Sequence, residues 1–154
     1  MLKHIGFIVA IVIIALLVFF FLIPFEDQLL DSLVTTGPEI TLDFWRESFR
    51  FWALVGVGIA LLAALLWFVL GQWWFSLDRW TSADKRTIWI TLGVVALVAA
   101  VPGVVLTPAA QEGGRLAWPF YLLNNLIVFY LSTVLFSPAS FKYTPWASSY
   151  LRWW

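Results

Sequence analysis

Within its apolar stretches the chain carries one compact set of hydrogen-bonding side chains, Asn124 and Asn125 with Ser132 and Thr133 two turns further on. An amide surrounded by hydrocarbon needs a partner, and cross-helix hydrogen bonds of this kind contribute around 0.6 kcal/mol on average. Tyr121, Asn125 and Ser132 share one helical face. That face suits structural glue between helices, or the lining of a polar path if several copies combine. A second polar group, Asp43, Arg46, Glu47 and Arg50, forms a narrow charged stripe on an otherwise apolar segment of Leu42, Phe44, Trp45, Phe49, Phe51 and Trp52. Its acids and bases stand three apart, which suits a ladder of Asp43 with Arg46 and Glu47 with Arg50. The same stripe would also serve as a docking surface, for another subunit or for the fourth apolar segment of this chain.

Other chemistry is not provided for. There is no cysteine, so thiolate ligands, disulfides and thiol nucleophiles are excluded. The one histidine, His4, is expected to be a polar flank and not a ligand. No Gly-rich phosphate loop, His-Glu-x-x-His pair or nucleophile elbow occurs, and Gly113-Gly114 beside Arg115 reads as a turn. No catalytic residue, metal site or cofactor is expected, apart from bound lipid.

The elements that hold these residues follow from composition. The 154 residues are 62% hydrophobic and 12% charged, too apolar for a water-soluble domain. Nine basic and nine acidic residues cancel, so no net field draws in nucleic acid. Crossing the hydrocarbon core takes about 20 apolar residues in a helix, and four stretches approach that length: 5–23, 51–70, 88–106 and 120–136. The expected fold is an all-α polytopic membrane protein, a four-helix bundle in a single domain. The first stretch ends at Pro24 and reads as a retained anchor, because a secretory signal has a shorter apolar core and a small-residue cleavage site. With these limits no span contains an ionisable residue, which argues against proton-coupled transport and intramembrane proteolysis.

Lys3, Arg79, Lys85, Arg86, Lys142 and Arg152 fall on one side of the spans, and only Arg46, Arg50 and Arg115 on the other. The basic side is expected to be cytoplasmic, with both termini inside a bacterial-type inner membrane. Trp73, Trp74, Trp80 and Trp89 are expected in the inner headgroup layer, and Trp45, Trp52 and Trp118 in the outer one.

Between the first two spans lies an outer loop, 24–50. Phe25, Leu29, Leu30, Leu33 and Val34 recur at helical spacing there and predict a short helix lying on the membrane. From about Pro38 the pattern predicts a helix running unbroken into the second span. The tail, 137–154, reads as an interfacial amphipathic helix with Trp146, Tyr150, Trp153 and Trp154 on its apolar arc. Small residues repeat on two spans: Gly56, Ala60 and Ala64 on the second, and Ala96 with Ala100, or Ala99 with Gly103, on the third. Such faces let helix backbones approach closely. Pro102 is expected to kink the third span by releasing the carbonyl of Val98.

These features predict a non-catalytic accessory or scaffold subunit of a larger membrane complex, working through contacts with other integral subunits. The alternative is a homo-oligomeric channel or transport component whose fourth span lines the path.

Overall fold

A computed structural model of the chain describes residues 2–35, 41–71, 81–108 and 117–136. The described residues form an all-helical bundle in which four helices, Ile5–Asp31, Leu42–Val69, Ala83–Leu106 and Ala117–Leu135, are long and apolar enough to cross a membrane. Such a chain is an integral membrane protein. The tail with Trp146, Tyr150, Trp153 and Trp154 lies outside the described residues, as do Trp73, Trp74 and Trp80.

The first span does not stop at Pro24. It runs as α1 (Leu2–Leu17), a π-turn over Val18–Leu22 and α2 (Ile23–Asp31). Proline lacks an N–H and its ring crowds the preceding turn, so a regular helix would leave the carbonyl of Phe20 without its donor. A wider turn just before the ring absorbs the mismatch: the Ile23 amide donates to the carbonyl of Val18, five residues back. The expected surface helix after Pro24 is therefore the continuation of the span. Ile23, Glu26, Asp27 and Leu30 are buried, while Phe25, Leu29 and Leu33 face outward.

The second span, α3 (Leu42–Val69), is unbroken over 28 residues, as the pattern after Pro38 predicts. Thr41 starts it: the Phe44 amide donates to its hydroxyl at 3.3 Å. The third span begins with a capping box, in which Thr81 and Asp84 each accept from the other's backbone amide. It forms α4 (Ser82–Val98), is interrupted at Ala99 and Ala100, and resumes as α5 (Val101–Leu106) with Pro102 in its first turn. The interruption falls where loss of the bond to Val98 was expected. The fourth span is α6 (Ala117–Leu126), a π-turn over Ile127–Leu131 and α7 (Ser132–Phe136).

The second span is the hub and packs against the other three; the fourth closes the bundle beside it, and the first and third flank this pair. Small residues allow the close approach. Gly56, Ala60 and Ala64 are all buried, as are Ala96, Ala100 and Gly103. Both small faces are thus occupied within the chain.

Of the tryptophans expected in the headgroup layers, Trp45 is buried in the bundle and Trp89 is partly buried. Trp45 is fully buried and stacks on Phe49 with ring centroids 5.8 Å apart. Trp89 donates its indole N–H to the Thr133 hydroxyl at 3.0 Å. An indole satisfies its apolar body and its donor as well between helices as at a headgroup. Trp118 is exposed.

Candidate functional site

Antiparallel packing of the first two spans brings together residues whose spacing matches. Asp27 and Asp31 are one turn apart on α2, and Arg46 and Arg50 are one turn apart on α3. Arg50 pairs with Asp27, and Arg46 with Asp31. The residue numbers of both pairs add to the same total, the signature of one straight seam between antiparallel helices. Arg46 also reaches Asp43 at 3.4 Å, the first rung of the expected ladder. The second rung is absent: Arg50 turns to Asp27, and Glu47 makes no ion pair among the described residues. The charged stripe is therefore docked, in large part, on the first span of its own chain. The two partners of the inner pair differ in environment: the Asp27 side chain is 4% exposed and that of Arg50 58%.

One residue before Asp27, the Glu26 carboxylate points toward the fourth span and accepts from the Asn124 amide at 2.7 Å. Both residues are buried. Asn125, next in sequence and about 100° around the helix, points elsewhere. Its amide donates to the Ala96 carbonyl at 2.9 Å and fills the space above Gly56, where an added Cβ would lie 2.8 Å from its oxygen. Three spans meet at this one amide.

Toward the same end, Tyr121 lies over Gly103, where an added Cβ would meet its ring at 3.0 Å, and shares a 2.6 Å hydrogen bond with Thr107. Phe49 packs against that ring at 5.1 Å and joins it to the Trp45 stack. Deeper, Ser132 and Thr133 are buried beyond the π-turn, with Thr133 holding Trp89.

The polar residues of the fourth span thus all face inward, toward the other three spans. The arrangement ties helices together through hydrogen bonds, and one oxygen of each buried carboxylate meets a different partner, Asn124 for Glu26 and Arg50 for Asp27, while Glu26 Oε1 and Asp27 Oδ1 are buried without a hydrogen bond. Glu26 and Asp27 were missed by the sequence reading, which ended the first span at Pro24. The signal was present in the matched four-residue spacing of Asp27/Asp31 and Arg46/Arg50. Comparison with protein families, curated proteins and solved structures finds no match for this chain.

The contact between Gly56 and Asn125 gives a sharp expectation. Gly56→Ala forces the Asn125 amide off the Ala96 carbonyl and destabilises the bundle by about 1 kcal/mol, the worth of a typical hydrogen bond. In an Asn125→Ala background the same substitution costs little, because the amide that it strikes is gone. Thermal unfolding of the four proteins of this cycle measures the coupling; additive losses would mean that the two residues do not touch.

Proposed function

We propose that this chain is a non-catalytic accessory or scaffold subunit of a larger membrane assembly, acting through protein contacts within the bilayer. The observation that carries this reading is the inward orientation of Asn124, Asn125, Ser132 and Thr133, each about 1% exposed or less. A span whose polar face is turned into its own bundle offers none of it to a conducting axis. The pairing of Glu26 with Asn124 and of Asp27 with Arg50 gives one oxygen of each buried carboxylate a partner inside the bundle, which supports the non-catalytic part. The excess of Lys and Arg at the opposite end supports placing the end that carries Glu26, Asp27 and Asp31 outside. We place the protein on the same grounds in a bacterial-type inner membrane with both termini cytoplasmic.

Extraction of a tagged chain in mild detergent, followed by mass spectrometry of everything retained, tests the reading. A larger integral protein present in fixed ratio is expected. A pure homo-oligomer that makes sealed liposomes permeable to a small solute would replace this reading with the channel alternative.

A further inference from the structure

Between the first and second spans, alongside the ion-pair seam, runs an open groove of about 870 Å³. Its wall changes character along its length. Asp43, Arg46, Glu47 and Arg50 line one part, and apolar residues including Phe20 and Leu54 line the rest. From Asp43 to Leu54 the second span rises about 16 Å, at 1.5 Å per residue. A groove polar at one end and apolar over the rest matches the form of a phospholipid, itself polar above and apolar below.

We infer that this groove holds one diacyl phospholipid with a zwitterionic headgroup ending in a primary ammonium, as in phosphatidylethanolamine. The charges along its polar part decide the headgroup. Two arginines and two acids sum to zero, and Asp27 and Asp31 lie on the neighbouring helix as the arginines' partners. A headgroup with net negative charge is repelled by that surplus of carboxylates. A zwitterion is matched at both of its ends. Arg50 engages Asp27 through one terminal nitrogen and is otherwise half exposed, leaving N–H groups for a phosphate. Glu47 is exposed and has no ion-pair partner among the described residues. It accepts hydrogen bonds from a primary ammonium; a quaternary ammonium has no N–H to donate.

Native mass spectrometry of the delipidated protein in detergent, titrated separately with phosphatidylethanolamine, phosphatidylcholine and phosphatidylglycerol, tests the inference. One phosphatidylethanolamine is expected to bind about ten-fold more tightly than either of the others, the worth of one charge-assisted hydrogen bond. Glu47→Gln should abolish that preference while leaving thermal unfolding unchanged, and Leu54→Trp, which fills the apolar part, should weaken phosphatidylethanolamine binding itself. Equal affinity for the three lipids, a preference that survives Glu47→Gln, or a second copy of the chain that competes with lipid would overturn it.

Discussion

Arg50→Ala lowers the thermal midpoint of the purified protein by roughly 10 °C, whereas Asp27→Ala lowers it by a third of that or less. The asymmetry follows from the burial of the two partners. Removing the guanidinium takes the direct ion pair from an Asp27 carboxylate whose side chain is 4% exposed, with Arg46 left as its nearby cation, a defect that costs about 3 kcal/mol. Removing the carboxylate leaves an arginine whose side chain is already 58% exposed. Its long stem lets the charge move out to the headgroups. Two further variants separate stranded charge from lost packing. Asp27→Asn in the Arg50→Ala background should recover most of the loss, because an amide at that position carries no charge. Asp27→Leu with Arg50→Leu should come close to the parent, since a well-packed apolar pair replaces a buried ion pair at little or no cost. Equal losses from the two single alanine variants would show that the pair is not seated as described.

The second large effect is expected at the other buried carboxylate. Asn124→Leu takes away the donor that Glu26 holds at 2.7 Å and leaves the buried carboxyl without it. The loss is about 2 kcal/mol, the cost of an unsatisfied buried polar group. Glu26→Leu combined with Asn124→Leu removes both partners and should restore most of it, whereas Glu26→Gln with Asn124 intact keeps an acceptor and should cost less than either leucine variant alone. Urea is a poor probe in detergent, so the series is read by the temperature at which helical ellipticity is lost. If the double leucine variant is no more stable than Asn124→Leu, the two residues do not depend on one another.

The bundle itself is legible in the sequence because lipid imposes a strong condition: backbone groups must be paired within the segment, and about twenty apolar residues are needed to do it. The limits of the first span were less legible. A proline commonly marks the end of a helix, but here the π-turn over Val18–Leu22 carries the helix past it to Asp31. The apolar spacing of Phe25, Leu29, Leu30 and Leu33 was correctly read as helical. Spacing alone does not tell a helix lying on a membrane from one continuing through it. Composition places Trp45 and Trp89 near the headgroups, and packing buries the first fully and the second partly, through an aromatic partner along one helix and a hydroxyl partner on another that local sequence does not reveal.

The polar face of the fourth span was readable from the spacing of Tyr121, Asn125 and Ser132. Its direction was not, because period fixes which residues share a face and says nothing of what the face meets. The small residues held part of that answer. Gly56 and Ala96 lie opposite one amide, and Gly103 lies beneath one phenol ring. At Gly56 and Gly103 an added Cβ would press on the side chain that bridges the helices, which would have to shift.

The central claim is that the polar residues of the fourth span are sealed inside a single protomer. Because the chain has no cysteine, single-cysteine variants report accessibility without background. Asn125→Cys and Ser132→Cys, with Asp43→Cys as an exposed control, should be treated in native membranes with a small, water-soluble maleimide. The account predicts rapid labelling of the control and none at the two interior positions until the protein is unfolded. Labelling of Asn125→Cys at a rate near that of the control would contradict it, and would place a water-filled path along the fourth span.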